Sequence, residues 1–266
     1  MTSSGGAIHV RRTAEVARVV VGTGDRGNAL SGHDWDGLAE IFDGLAGDAG
    51  LRVAVVEGAG DTFSAGSDVR EWLASSPVAV DADFAAMERA FTAVEALPVP
   101  VLAKVRGIAA GAGCQLACAC DLRVLGEQAR IGMPVARWGI LVSASFAARI
   151  SALTGPGVTR DLLYTGRLLD AAEAERLGLA TRVASEGELD AVLDALIEQI
   201  ARQPPAAIRA AKQAVSTLMS PITRTARRAG GGPAADYVEL RRGAGRFLDP
   251  GGTTSSPARP QRPSTR

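Results

Sequence analysis

Aromatic side chains and histidine are scarce in this chain of 266 residues. Phe, Trp and Tyr together make up 4% of the sequence, and the two histidines are His9 and His33. Histidine is the commonest general base of enzymes, but His9 lies near the N-terminus and His33 lies beside Asp34 at the start of an amphipathic segment. We expect both to be in solvent, so the sequence offers no histidine for catalysis.

The chain also has no excess of charge of either sign and no long apolar run. It contains 29 Lys and Arg residues and 29 Asp and Glu residues, which predicts no nucleic-acid or membrane partner. No apolar run reaches the ~20 residues of a membrane-spanning helix. The opening MTSSGGAIHV does not resemble a signal peptide. These features together predict a cytoplasmic protein.

The three cysteines are crowded into the segment CQLACAC as Cys114, Cys118 and Cys120. Zinc sites usually need four ligands, and no histidine lies nearby, so the sequence predicts no metal site. An odd number of cysteines without a signal peptide also argues against disulfides. We expect the three cysteines to be small buried residues of a helix.

Two segments of small residues each follow an apolar run. FSAGSD at 63–68 follows a run at 53–56, and GIAAGAGCQLACACD at 107–121 follows a run at 99–105. The apolar runs predict buried strands. Glycine allows a tight turn and lets a ligand approach backbone amides. Two such loops can direct two N–H groups at one point, which is how a developing oxyanion is held.

With these loops, the chain resembles the crotonase (enoyl-CoA hydratase/isomerase) superfamily. Further matching segments are NALS at 28–31, PVP at 98–100, CDLR at 120–123 and YTGRLLDAAEAERLGLATRV at 164–183. The resemblance implies an α/β fold, a spiral of ββα turns with a helical C-terminal region. We expect the spiral core over 1–202, a C-terminal helical region for oligomerisation and active-site cover over 203–248, and a disordered tail over 249–266.

The hydrophobic periodicity and the Gly and Pro positions also predict individual elements. Strands are predicted at 16–21, 52–57, 99–105 and 121–125. Helices are predicted at 33–46, 83–97, 145–153, 171–177, 189–202, 206–219 and 236–248. Asp68 is expected to cap a helix that begins at Val69.

The resemblance further implies a thioester carbonyl held by the N–H groups of Ser67 and Ala112. The other residues expected to contact substrate are Asn28, Ala29, Phe63, Ser64, Ala65, Gly66, Gly111, Val135, Trp138 and Ser143. Coenzyme A is expected as part of the substrate, with its nucleotide end near 25–28 and Phe247 closing the site. No separate cofactor is expected.

Both glutamates used by the hydratases of this family are missing. Gln115 stands at one position and Val135, after Pro134, at the other. Glutamine cannot take a proton at neutral pH, although it could orient a water. Arg137 could bind a substrate carboxylate at two points or lie at the surface. Ser143 could contact substrate or cap the following helix.

The predicted function is therefore an enzyme of the lyase/isomerase type that acts on an acyl-CoA or another acyl thioester and stabilises its enolate. Two alternatives stay open: a diverged decarboxylase or hydrolase, in which Arg137 holds a carboxylate, and a non-catalytic acyl-CoA-binding protein. The resemblance also implies a homo-oligomer, a trimer or a dimer of trimers.

Overall fold

The computed structural model describes residues 7–229 and 232–248, without the side chains of 219–229 and 247–248. The predicted tail at 249–266 and the side chain of Phe247 lie outside this part. Nine strands form two sheets in the described residues. The strands are β1 (Ile8–Arg12), β2 (Val16–Val21), β3 (Val53–Gly58), β4 (Val101–Val105), β5 (Ile108–Ala110), β6 (Leu122–Gly126), β7 (Arg130–Gly132), β8 (Leu168–Asp170) and β9 (Arg182–Ala184).

The larger sheet has the strand order β1-β2-β3-β4-β6-β9. Its first pair, β1 and β2, is antiparallel, and each following pair is parallel. The smaller sheet has the order β5-β7-β8, in which β5 and β7 are parallel and β8 is antiparallel. Because β4 and β5 are separated by two residues, the chain passes directly from one sheet to the other.

Nine α-helices connect and cover the sheets in the described part of the chain. They are α1 (Gly32–Ala46), α2 (Val69–Ala74), α3 (Pro77–Ala96), α4 (Ala112–Ala119), α5 (Ala144–Thr165), α6 (Ala171–Arg176), α7 (Leu189–Ala201), α8 (Pro205–Ala229) and α9 (Tyr237–Leu248). Short 3-10 turns occupy Arg26–Asn28 and Pro134–Trp138. None of the described helices is long and apolar enough to cross a bilayer.

Both faces of the larger sheet are buried, as is usual for parallel strands. Along β3, Val53 and Val55 belong to a cluster with Leu189 and Leu193 of α7. The alternate residues of the same strand point into the main core, which α1 and α3 cover. The mixed α/β architecture predicted from the resemblance is confirmed.

The predicted elements are found close to their expected positions, with three differences. Helix α3 begins at Pro77 rather than 83, because the Ser76 side chain accepts a hydrogen bond from the Ala79 amide and Pro77 suits a first turn. The helix predicted to end near 153 is interrupted there, because Gly155 has non-helical dihedrals (φ 77°, ψ 165°), but a second helical segment that was not predicted follows up to Thr165 within α5. Helix α8 extends ten residues beyond its predicted end at 219, to Ala229.

Candidate active site

The backbone N–H of Ser67 points away from Leu30, the residue with which Ser67 forms a parallel β-bridge. Leu30 N donates to the Gly66 carbonyl (2.8 Å), and Asp68 N donates to the Leu30 carbonyl (2.9 Å). In an extended backbone, consecutive N–H groups point to opposite sides, so the N–H between these two bonds points away from Leu30. Within the described residues, the Ser67 amide has no acceptor of its own.

A second free amide lies at the N-terminus of α4. Ala112 is the first residue of this helix, and the first intrahelical bond is donated by Gln115 N to the Gly111 carbonyl (3.1 Å). The first N–H groups of a helix have no partner within it, and that of Ala112 has none elsewhere in the described structure. The helix dipole adds to the pull of this N–H on a negative oxygen.

The two loops touch at these amides. A Cβ built on Gly66 would lie 2.9 Å from the Ala112 nitrogen and 2.9 Å from the Ala110 carbonyl, and Gly66 has a φ of +101°. Only glycine fits both the space and the conformation. The backbone of Gly66, which precedes Ser67, therefore lies against Ala112, and both Ser67 and Ala112 line the same cavity.

Several predicted contact residues instead hold the first loop in shape. The Asn28 side chain accepts from Gly24 N (2.8 Å) and donates to the carbonyls of Ala59 (2.9 Å) and Thr62 (2.6 Å). The Ser64 hydroxyl donates to the Asn28 carbonyl (2.8 Å) and accepts from Gly66 N (3.1 Å). Asn28, Phe63, Ser64 and Gly66 are buried, and neither these four nor the half-buried Ala29 line the cavity.

The cavity beside the two amides is small, about 70 Å³, and its wall is mostly apolar. Its lining residues come from both loops, from α2, α3 and α5, and from the turn around Pro134–Trp138. They are Ala65, Ser67, Val69, Trp72, Phe84, Met87, Gly111, Ala112, Met133, Pro134, Val135, Trp138, Ile140 and Phe146. None of these described lining residues carries a side chain that ionises near neutral pH. The contributions of Trp72, Phe84, Met87 and Phe146 were not predicted, because their segments lie far apart in the sequence.

The polar side chains at the wall are already bound by the protein. Ser67 Oγ accepts from Trp35 Nε1 (3.1 Å) and donates to Met87 Sδ (3.1 Å). Trp72 Nε1 donates to Asp83 Oδ2 (3.0 Å), which lies behind the ring. Burial raises the pKa of Asp83, and the hydrogen bond from Trp72 opposes that effect.

Gln115 lies behind the cavity wall, not against the cavity. It is fully buried, and its Nε2 donates to the Phe146 carbonyl (3.2 Å) while its Oε1 accepts from Arg149 Nη1 (2.9 Å). Arg149 is itself held by Glu95 (2.6 Å) and Glu88 (3.2 Å). The predicted catalytic contact of Gln115 therefore has no support in this geometry, because both ends of its amide are occupied.

The remaining predicted site residues follow β7, and only some of them line the cavity. Val135 and Trp138 line the cavity, whereas Arg137 is exposed and does not. Ser143 caps α5: its hydroxyl accepts from Phe146 N (3.2 Å). The geometry thus gives the carboxylate-binding role of Arg137 and the substrate contact of Ser143 no support. It favours the alternatives of a surface arginine and a helix cap.

The other candidates lie where the sequence analysis expected them. Asp68 caps α2, and His9 and His33 are exposed. The three cysteines are free and buried, and burial raises the pKa of Cys120. The part of the chain that the structure describes contains no group of His, Cys, Asp or Glu residues able to hold a metal ion.

Known proteins are similar to this chain in sequence and in fold. The sequence matches the enoyl-CoA hydratase/isomerase family model over residues 11–232. It is similar to the crotonyl-CoA hydratase of Syntrophomonas wolfei, with 32% identity over 197 residues that cover 72% of this chain and 75% of that protein.

Two solved structures are similar over most of their length. One is an enoyl-CoA hydratase/carnithine racemase from Magnetospirillum magneticum, with a TM-score of 0.78, 31% identity, and coverage of 92% of this chain and 89% of that one. The other is a Thermobifida fusca protein in complex with acetoacetyl-CoA, with a TM-score of 0.74, 32% identity, and coverage of 84% and 94%.

Proposed function

Since the chain belongs to the enoyl-CoA hydratase/isomerase family, we propose that it is an enzyme that binds an acyl-CoA and stabilises the enolate of its thioester. The thioester oxygen accepts from the N–H groups of Ser67 and Ala112. The acyl group enters the apolar cavity beside them. A relative of similar fold was solved with acetoacetyl-CoA, which supports a CoA thioester as the ligand.

The observation that carries this proposal is that the amides of Ser67 and Ala112 have no acceptor in the described residues and that both residues line one apolar cavity. Ser67 and Ala112 are both half-buried at this cavity, so their N–H groups remain available to a bound ligand. Donors held in a water-poor site stabilise a developing oxyanion more strongly than water does. Amides fixed by a helix end and by a bonded loop need no rearrangement when the charge appears.

The lining residues also limit the proton transfers that the protein's own side chains can carry out. No carboxylate, imidazole or amine lies among the described lining residues, so a proton added to or removed from the α-carbon travels by way of water or a group on the substrate. This favours reactions in which enolate stabilisation supplies most of the rate. Slow hydration of an uncharged enoyl thioester belongs to that class. Binding without turnover is the limiting case.

The direct test removes one donor with little change to the fold. Ala112→Pro deletes the N–H at the first position of α4, where proline is well tolerated. The carbonyl stretch of a 13C-labelled acyl-CoA should fall on binding to the wild type and return towards the solution value in this variant. Where turnover is measurable, kcat should fall by roughly 100-fold or more.

A matched control is available at α5. Ala144 is the exposed first residue of that helix, after the Ser143 cap, so Ala144→Pro makes the same change without touching the two loops. The control should bind acyl-CoA with the wild-type carbonyl frequency and affinity. An unchanged carbonyl frequency in Ala112→Pro, with the thioester bound, would contradict the proposal.

A further inference from the structure

Aromatic side chains are rare in this chain, yet they are concentrated around one cavity. The structure describes eight Trp and Phe side chains, and six of them belong to this region. Trp72, Phe84, Trp138 and Phe146 line the cavity, and Phe91 and Trp35 pack behind them. The remaining two, Phe42 and Phe63, are fully buried in the main core. A general need for core volume does not explain this distribution, because Ala, Val and Leu supply most of the core elsewhere.

The rings form a continuous series of contacts, which we call the aromatic ladder: Trp72, Phe84, Phe146, Phe91 and Trp35. Trp72 and Phe84 are stacked, with centroids 5.2 Å apart and planes at 28°. Phe84 and Phe146 lie 6.3 Å apart at 25°. Edge-to-face contacts of 5.8 Å and 5.4 Å then lead to Phe91 and Trp35.

Both ends of the ladder are fixed by hydrogen bonds. Trp72 Nε1 donates to Asp83, and Trp35 Nε1 donates to the hydroxyl of Ser67, whose amide is one of the two free donors. The orientation of the wall is therefore tied to the position of the thioester oxygen. A wall fixed in this way favours a rigid ligand, because it cannot adapt to many shapes without breaking these bonds.

The wall provides no partner for a charged or hydroxylated acyl group. Ser67 Oγ is already bonded twice. The buried cation Arg149 does not line the cavity, and it is bonded to Gln115 and paired with Glu88 and Glu95. An unpaired carboxylate placed here would lose its hydration without compensation. The acyl group that fits is uncharged.

From these contacts we propose that the substrate is an aryl acyl-CoA, whose apolar ring packs against the aromatic ladder while its thioester oxygen meets the two amides. This inference rests on the proposed function, since it requires a CoA thioester in the same site. Aromatic rings in offset or edge-to-face contact attract each other beyond the effect of area alone. A rigid ring also loses less conformational freedom on binding than a flexible chain.

Three thioesters, each with eight acyl carbons, separate the effect of an aromatic ring from the effects of ring shape and of carbon number on binding affinity, because the carbon number is held constant. Phenylacetyl-CoA, cyclohexylacetyl-CoA and octanoyl-CoA are compared by calorimetric titration of the full chain. We expect phenylacetyl-CoA to bind roughly 2- to 10-fold more tightly than cyclohexylacetyl-CoA, the range that corresponds to one aromatic pair. Octanoyl-CoA should bind more weakly than phenylacetyl-CoA.

Variants test whether the aromatic ladder is the source of the preference for phenylacetyl-CoA. Phe84→Leu and Trp72→Leu should abolish the preference for phenylacetyl-CoA over cyclohexylacetyl-CoA, and Trp72→Phe should retain it. Phe42→Leu is the control, because it removes a fully buried ring outside the ladder; its melting temperature should fall while the preference stays. The two leucine variants are independent of each other, so either one tests the proposal if the other fails to fold.

The outcomes distinguish this inference from the function on which it rests. If none of the three thioesters binds, or if Ala112→Pro affects none of them, the proposed function fails. If all three bind and Ala112→Pro weakens each of them, but octanoyl-CoA or cyclohexylacetyl-CoA binds as tightly as phenylacetyl-CoA, only the aryl preference is overturned. A preference that survives in both leucine variants would also overturn it.

Discussion

At the scale of single residues, Gln115 and Val135 occupy very different surroundings. The resemblance places both at positions where hydratases carry a glutamate. Val135 lines the cavity and is 5% exposed, whereas Gln115 lies behind the wall with both ends of its amide bonded. A carboxylate at 135 would therefore meet the acyl group, while one at 115 would meet Arg149.

We predict that Val135→Glu increases the weak crotonyl-CoA hydration expected of the wild type, by up to about 100-fold. A carboxyl group in this apolar wall has a raised pKa, which suits general acid–base catalysis, and such groups contribute about 10²–10⁴-fold. Gln115→Glu should bring no increase, because its charge pairs with Arg149. The measurement is the initial rate of hydration at neutral pH.

The control for this change is Val142→Glu, which adds the same side chain on a half-buried residue outside the lining. It should hydrate crotonyl-CoA no faster than the wild type. Fast hydration by the wild type, or an increase in Gln115→Glu alone, would mean that the proton-transferring groups have been placed wrongly.

At the scale of elements, the segment that leads into helix α9 is bonded to the backbone next to one wall of the cavity. Leu141 N donates to the Ala234 carbonyl (2.9 Å), and Asp236 N donates to the Gly139 carbonyl (2.9 Å). These two bonds tie the segment before α9 to the residues that follow Trp138. The positions of Trp138 and Ile140 in the lining therefore depend on how the C-terminal helix packs.

Gly139 offers a way to disturb this contact. It has a φ of +65°, and a Cβ built on it would lie 2.4 Å from Cβ of Glu239 in α9. Gly139→Ala should lower the melting temperature and weaken acyl-CoA binding several-fold, since α9 must shift. Gly60→Ala is the matched control, because Gly60 has a φ of +69° and open space around it. The control should show only the strain of the left-handed backbone, about 1–2 kcal/mol, with unchanged binding. Equal binding losses in the two variants would contradict this account.

Sequence patterns predicted the elements whose determinants are local. The apolar runs predicted β2, β3 and β4, and the caps Asp68 and Ser143 were predicted from their own residue types. The three-residue strands β5, β7 and β8 carry too few residues for a recognisable period, and they pair over long separations. Their pairing follows from tertiary contacts and not from local preference.

The candidate site also contains features with local sequence determinants and features that depend on tertiary contacts. The glycines predicted two loops that could direct backbone amides at one point, and the resemblance placed those amides at Ser67 and Ala112. The bond from Arg149 to Gln115 joins residues 34 positions apart, and the aromatic ladder joins α1, α2, α3 and α5. Neither leaves a local pattern, which is why Gln115 was predicted as catalytic and the ladder was not predicted.

At the scale of the whole molecule, α8 is amphipathic, and the described residues leave part of its apolar face uncovered. The sequence places Ile208, Ala211, Val215 and Leu218 on one face. Within the part of the chain that the structure describes, Val215 and Leu218 are 63% and 75% exposed. Exposed apolar patches commonly mark contacts between subunits, and symmetric assembly covers the same patch on every copy. The trimer or dimer of trimers stays a prediction, and this patch is a candidate contact between its subunits.

We predict that Val215→Glu combined with Leu218→Glu reduces the assembly to monomers. Burying two carboxylates without partners in an interface costs more than a modest contact can offset. Gln213→Glu combined with Thr217→Glu adds the same charge on the opposite face of α8, where both residues are exposed, and should leave the assembly intact. Light scattering at micromolar concentration measures the mass of each protein. A wild-type mass equal to one chain, or a wild-type oligomer that the first pair leaves intact, would exclude this face as the interface, because the two charges would then have no partner surface to disrupt.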